Sequence, residues 1–355
     1  MTNRLLRAVA GGTRPKREAG PAAAGREAMK AAMPTSVHGW IRGGRRALGH
    51  STGVVIPLVL LWIALAVMAP RFLTLVNISN LSVQFAIIGT LAIGTTAIII
   101  CREIDLSIGA VEGFCAVIAA IAAVRVELPW PLAVLAAVMA GSLVGALNGW
   151  LVTRIGIPSF VATLGVLGIV SGGALVISGG QTIYGFPEAY QWIGQGALLG
   201  VRAPVLLCLA LLLVMHFTLR HTTTGLGFYA VGGNERAADL VGISVNRIKY
   251  IAFVISGSCA GLAGVINSAR LDSANPTLGT LDLLDAIAAV VIGGASLTGG
   301  AGTILGTASG VLLIVTIRNG LTLLGVNPFL QQTTVGAIII IAAVLGHLSR
   351  RQQQS

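Results

Sequence analysis

RHTTTGLGFYAVGGNERAADLVGISVNRIK, residues 220–249, is a polar island in a chain that is otherwise almost wholly apolar. The island carries four basic residues, Arg220, Arg236, Arg247 and Lys249. Lys and Arg gather on the cytoplasmic side of membrane proteins, so this bias places the island in the cytoplasm. Its centre, Asn234–Leu240, is expected to form a short helix, opened by Gly232-Gly233 and closed by Gly242. The sequence on either side returns to long apolar runs. The expected fold class is therefore an all-α polytopic membrane protein.

Composition agrees with that class. Charged residues make up 10% of the 355, well under the roughly 25% of soluble domains. The 47 glycines suit membrane helices that approach one another closely. The net charge of +11 would suggest nucleic acid, but most of it sits in residues 1–50, which hold ten Lys or Arg and two Glu. That segment reads as a disordered, basic cytoplasmic tail that orients the first helix and is attracted to the membrane surface, with no nucleic-acid partner. The first apolar run starts only near Gly53, which argues against a cleaved signal peptide. Cys101, Cys115, Cys208 and Cys259 lie within or at the ends of apolar runs, without metal or disulfide spacing, and read as packing residues.

Charges divide the chain into about ten spans: 53–70, 83–101, 106–124, 131–153, 157–178, 203–219, 250–269, 284–298, 303–318 and 329–346. The eighth and ninth are weakest, because a 15-residue helix covers about 22 Å of a core about 30 Å thick. Between them Gly293–Gly302 reads as broken backbone, tolerable at membrane depth only where protein or a watery cavity satisfies it. Ten spans put both termini on one side. Of the 23 Lys and Arg, only Arg71, Arg125, Arg202, Arg270 and Arg318 then fall outside, which supports an N-in, C-in arrangement. Asn148-Gly149, followed by Gly156-Ile157-Pro158-Ser159-Phe160, is echoed by Asn319-Gly320, followed by Gly325-Val326-Asn327-Pro328-Phe329. The echo falls on opposite sides of the membrane, the parity of an inverted repeat of spans two to five against seven to ten.

Several polar groups carry candidate roles. Arg102-Glu103-Ile104-Asp105 reads as a cytoplasmic turn in which Asp105 caps span three with Arg102 as counter-charge, with a gating or coupling role as the alternative. Glu112 lies inside a span and is a candidate relay, unless it reaches the interface or Arg102. Asp282 or Asp285 is expected to cap span eight, in an outer acidic group that includes Asp272. The outer connection 179–202 is expected to lie on the membrane, with a short helix over Glu188–Ile193 begun by Pro187. Its Tyr184, Phe186, Tyr190 and Trp192 suit an interfacial aromatic belt. Only three lysines occur, Lys16, Lys30 and Lys249, and none belongs to a phosphate loop. No nucleophile–base or metal constellation can be assembled. The chain is thus expected to be a transport component and not an enzyme, and to bind no cofactor or metal of its own.

At this level of detail the chain resembles the membrane permease subunits of bacterial ABC importers for monosaccharides, of the ribose/xylose/galactose type. The words that carry the resemblance are Gly89–Gly94, Ile104–Gly109, Gly156–Gly165, Ala230–Glu235 with Ala237-Ala238, Gly242-Ile243 and Leu284–Gly294. They continue through Gly299-Gly300, Gly306-Thr307 and Asn319–Leu321, so the likeness covers about residues 53–347. The chain departs from the pattern at Arg102-Glu103, where a more neutral stretch is usual. It also lacks a basic residue within Gly299-Gly300-Ala301-Gly302.

The resemblance implies a transmembrane permease domain at 51–349 containing a coupling loop at 220–249, and a short cytoplasmic tail at 350–355. It implies a multi-pass protein of the bacterial cytoplasmic membrane that works beside a second permease subunit, expected to be identical. Cytoplasmic ATPase subunits would consume ATP and Mg, and a periplasmic or extracellular sugar-binding protein would deliver the cargo. Gly232, Gly233, Asn234, Glu235, Ala237, Ala238 and Gly242 would then couple to the ATPase. A neutral sugar calls for weak hydrogen-bonding groups, and Gln84, Thr95, Thr96, Thr163, Ser171 and Asn267 are the pathway candidates. Arg202 and Arg270 are candidates for docking the binding protein through charge pairs, with local anchoring to Glu188 or Asp272 as the alternative. Two rival readings stay open, a branched-chain amino-acid ABC permease and an ion-coupled secondary transporter.

Overall fold

The computed structural model describes residues 54–337 and 340. The tails expected at 1–50 and 350–355, and the end of the last expected span, lie outside the described residues. Helices account for nearly all of the architecture. They are α1 (Val54–Met68), α2 (Leu75–Ile100), α3 (Ile108–Ala120), α4 (Trp130–Trp150) and α5 (Ser159–Ser178). There follow α6 (Glu188–Gln195), α7 (Ala203–His221), α8 (Thr223–Gly233), α9 (Glu235–Leu240), α10 (Val245–Leu271), α11 (Asp282–Ile292) and α12 (Ile304–Leu323). A last helix, α13, begins at 328. Single π turns extend α3 to Arg125 and α4 to Ile155. Among the described residues seven helices are long and apolar enough to cross a membrane, so the chain is an all-α polytopic membrane protein.

Burial sorts these helices into an inner and an outer set. In α2 and α10, 89% and 72% of the most apolar window is buried, against 22% in α4, so α2 and α10 form the axis of the bundle. The outward faces of α4, α5 and α7 expose Leu143, Val176 and Leu213, as lipid contact requires. Around the axis the packing is reciprocal. The helices α2 and α10 touch each other, α3 and α4 pack on α10, and α11 and α12 pack on α2.

Glycine makes the tightest of these contacts possible. On α4, Gly141 and Gly145 face the backbone of Gly257 and Phe253 on α10, and a Cβ at any of the three glycines would overlap main-chain atoms across the interface. Such close approach lets dispersion replace the hydrophobic drive that is absent between helices in lipid. Polar side chains complete the contacts: Asn77 and Asn319 exchange amide hydrogen bonds of 2.9 and 2.8 Å between α2 and α12. The hydroxyls of Thr96 and Thr307 meet at 2.8 Å in the same interface.

Two connections enter the bundle instead of crossing its surface. The segment 101–107 rises until Asp105 meets Ser256, well inside α10. From the opposite end, residues 275–281 descend until Gly279 lies against Gly109 and Glu112 of α3. Each connection is followed by a helix that starts within the bundle, α3 and α11. The expected turn at the membrane surface is therefore corrected: Asp105 is buried, and its oxygens accept from Ser107 N, Ser107 Oγ and Ser256 Oγ, not from the exposed Arg102. Capping of α11 by Asp282 or Asp285 is likewise absent; Leu281 holds the cap position and no side chain bonds there.

Two of the four aromatic residues expected at the membrane interface are elsewhere. Phe186 and Tyr190 are buried and stacked with centroids 4.3 Å apart, and Tyr190 Oη meets Ser268 Oγ of α10 at 2.8 Å. Burial pushes the Tyr190 phenol up, so it stays protonated in this contact. Only Tyr184 and Trp192 are exposed as an interfacial belt requires. Pro187 does open α6 as expected. The connection is held to the bundle by the strand pair Ile183–Tyr184 with Ser273–Ala274 and by Phe186 N donating to Asp272 Oδ1 at 2.8 Å.

The α4–α10 contact gives a direct test of the packing. Gly257→Val should destabilise the purified protein by at least the about 1–3 kcal/mol typical of overpacking, seen as a lower melting temperature in detergent. Gly172→Ala, where an added Cβ meets nothing within 4 Å, is expected to leave it unchanged. Equal behaviour of the two variants would show that the close crossing is not needed for stability.

Candidate functional site

The polar island folds as two short helices. Thr222 Oγ1 accepts from Gly225 N at 3.1 Å and starts α8, a helix not anticipated from the sequence. Asn234 ends α8 and opens α9, its Oδ1 accepting from Ala237 N at 3.1 Å. Gly242, at φ +85°, reverses the chain after α9 in a conformation that favours glycine. The seven coupling candidates thus form one compact unit, but they do not share one face. Gly232 is buried, where a Cβ would overlap Ile100 O and Gly300 N. Ala238 is also buried, only 3% exposed. Both hold the unit to the rest of the chain. Gly233, Asn234, Ala237 and Gly242 are exposed. The apolar tip beyond them, Leu240 at 87% and Val241 at 75% exposure, is the surface that sequence reasoning passed over.

The unit is locked to both broken segments at its end of the bundle. Lys249 Nζ lies 2.6 Å from Glu103 Oε1 and 2.8 Å from Glu235 Oε1, joining α10, the 101–107 connection and α9. Glu103 is nearly buried and Glu235 half-exposed, so the Glu103 contact is the stronger electrostatic one. Gly300 N donates to Ile100 O at 2.9 Å, and Tyr229 Oη donates to Gly302 O at 2.9 Å. These bonds satisfy backbone of the glycine-rich break expected at 293–302. Arg102, beside Gly299, adopts φ +64°, a left-handed conformation costing a non-glycine residue of order 1–3 kcal/mol. Glu103 was missed as a partner. The available signal was Lys249, placed where the polar island meets the apolar run that starts near 250, which calls for a counter-charge.

A second polar region lies toward the opposite end, between α2, α10, α11, α12 and α13. It is a cavity of about 260 Å³ lined by Gln84, Asn267, Arg270, Asp282, Asp285 and Arg318, among others. Asp285 is 1% exposed and its Oδ2 lies 2.7 Å from Arg318 Nε. Glu112 is fully buried behind this cavity, and its Oε1 accepts from Asn267 Nδ2 at 2.9 Å. It therefore reaches neither the surface nor Arg102. Of the six pathway candidates, Gln84 and Asn267 line this cavity together and the other four do not. Thr95 and Thr96 are buried and donate to Leu91 O and Ala92 O of their own helix. Thr163 is buried between Ser159 O and Leu106 N, tying α5 to the 101–107 connection, and Ser171 is half-buried on α5. The docking candidates also separate. Arg270 lines the cavity, whereas the exposed Arg202 donates to Ser79 Oγ at 2.9 Å and Gln195 O at 2.7 Å. Neither makes an ion pair with Glu188 or Asp272.

Comparison with known proteins places this architecture. The family model described as "Branched-chain amino acid transport system / permease component" matches residues 77–343. The ribose import permease protein of Escherichia coli K12 is 40% identical over 295 residues, 82% of this chain and 91% of that protein. The L-arabinose ABC transporter permease protein of Azospirillum brasilense is 33% identical over 314 residues, 88% of this chain and 92% of its own length. The D-allose transport system permease protein of E. coli K12 is 36% identical over 277 residues, 78% and 85% of the two chains. No solved structure matches the chain. A family match over most of the sequence, with these relatives covered nearly end to end, means that the chain belongs to this family of transport-system permease components.

Proposed function

We propose that this chain is the permease of an ATP-driven, binding-protein-dependent importer and forms the route by which a monosaccharide crosses the bacterial cytoplasmic membrane. It works with cytoplasmic ATPase subunits that use ATP and Mg, a sugar-binding protein outside, and a second, identical permease subunit. The observation that carries this reading is the folded α8–α9 unit. It offers an exposed apolar tip to a partner while Lys249 ties it to a connection that enters the bundle. The ribose, arabinose and allose permeases among its relatives support a sugar as cargo. The reciprocal packing of α3 and α4 on α10, and of α11 and α12 on α2, supports ten spans built as an inverted repeat with both termini inside. On the outer side, Arg202 and the hairpin tip at Leu199, 97% exposed, are the proposed contact for the binding protein.

The family description favours a second reading, import of branched-chain amino acids. Proteoliposomes holding permease, ATPase and binding protein should accumulate labelled D-ribose, L-arabinose or D-allose with ATP, and not labelled leucine. Uptake driven by an imposed proton or sodium gradient without ATP would instead make the chain a secondary transporter.

The exposed tip gives a sharper probe of coupling than the buried Ala238. Leu240→Asp with Val241→Asp should lower ATP-driven uptake about tenfold or more, as loss of an interface anchor does. The variant permease should still elute as a single species. Ala238→Arg, by contrast, is expected to damage folding. Unchanged uptake by the double variant would place the ATPase contact elsewhere.

The bridging lysine can be tested separately. Lys249→Ala should cost about 1–3 kcal/mol of stability, less than a fully buried pair because Glu235 is half-exposed. Combined with Glu103→Ala it should cost less than the sum of the single losses, with a coupling energy of about 0.5–3 kcal/mol in a double-mutant cycle. Strict additivity would mean that the bridge carries no energy.

A further inference from the structure

The four charges in the cavity between α2, α10, α11 and α12 serve no part of the coupling unit. Their arrangement is balanced, two guanidinium groups (Arg270 and Arg318) facing two carboxylates (Asp282 and Asp285). Asp285 is 1% exposed; one of its oxygens is held by Arg318, while the other, Oδ1, has no partner. A buried carboxylate oxygen left unmatched is costly and calls for a donor. Gln84 and Asn267 add amide donors and acceptors to the same wall, and only Ile87, Ile88 and Val315 are apolar. A second cavity, of about 480 Å³, shares Asn267 and Asp282 with the first. It is bordered by Thr182, Ser273, Asn275 and Thr277 of the outer connections. Asn267 and Asp282 thus stand between the cavity bordered by these connections and the one that holds Asp285.

We propose that this inner cavity is a transient binding station for a single monosaccharide on its way through the permease, with Asp285 Oδ1 accepting a sugar hydroxyl. The inference rests on the sugar reading above and adds the place where this chain itself recognises the cargo. Each sugar hydroxyl is both donor and acceptor, so paired carboxylates and guanidinium groups can satisfy it without any net charge on the ligand. At about 260 Å³ the cavity sits just below the about 300–1,000 Å³ usual for small-molecule sites, which suits one sugar ring and excludes an oligosaccharide. Among the described residues no aromatic side chain lines it to stack on the ring, so binding is weak, as a station that must release its cargo requires.

The test uses the intact complex in proteoliposomes and a reporter at the rim. All four native cysteines are buried and free, so a cysteine at the exposed Thr322, which lines the cavity, can be labelled selectively by a maleimide. In Thr322→Cys, at least one of D-ribose, L-arabinose and D-allose at tens of millimolar should slow labelling, while leucine and mannitol should not. Adding Asp285→Asn should weaken that protection about tenfold or more, the scale of one hydrogen bond to a charged group. Gln331→Cys, on α13 in the same lining, serves as a second reporter should the first assemble poorly. Uptake is measured on the same vesicles. ATP-driven sugar uptake with no protection at either reporter, or with protection untouched by Asp285→Asn, overturns the station and leaves the transport reading standing. Uptake of leucine and protection by leucine overturn both.

Discussion

Backbone that leaves helical geometry inside a bilayer must find hydrogen-bonding partners in the protein itself. That constraint organises this molecule. Two connections enter the bundle from opposite ends, and the second reaches the first turn of α3, where Gly279 faces Gly109. Around 101–107 the partners are Thr163, Ser256 and Asn148, whose Nδ2 donates to Ser107 Oγ at 2.8 Å. The segment 275–281 is held instead by its own turn: exposed Asn275 accepts from both Thr277 N and Thr277 Oγ1, Leu278 N donates to Asn275 O, and Gly279 at φ +85° closes it. The helices α3 and α11 can start within the bundle only because these segments are satisfied.

The same constraint explains where charge is tolerated. An ionised group at membrane depth needs a partner or a watery cavity. Lys249 bridges Glu103 and Glu235 where α10 meets α9. At the other end, Asp285 and Arg318 pair beside the entering connection. Each of these three ion pairs joins two different elements. Replacing one partner would strand the other, so these charges specify geometry more than they add stability.

Much of this was legible from the residues, because apolar runs, basic bias and glycine breaks act locally. The short helix after Gly232-Gly233 and its end at Gly242 were readable, and so was the break at 293–302; that Asn234 caps this helix and does not belong to it was not. What could not be read depended on depth. Arg102-Glu103-Ile104-Asp105 looks like a surface turn by charge density, yet Asp105 is buried because Ser107 and Ser256 meet its oxygens. Thr95, Thr96 and Thr163 looked like free pathway hydroxyls, but a threonine on a buried helix bonds its own preceding turn. Ala238 looked like a docking surface because alanine is small; the structure uses that smallness for packing inside the chain.

The two polar regions are joined by single rigid elements. Helix α2 lines the cavity with Gln84 and ends at Ile100, whose carbonyl accepts from Gly300 beside the end of α8. Helix α11 begins at the cavity with Asp282 and ends at Gly293, which packs on Gly306 of α12. A chain of contacts runs from α9 toward the cavity. It passes through Lys249 to the 101–107 connection, and through Gly232 to Ile100 and the glycine-rich break. Glycine contacts of this kind resist compression, because main-chain atoms already touch and no side chain can yield.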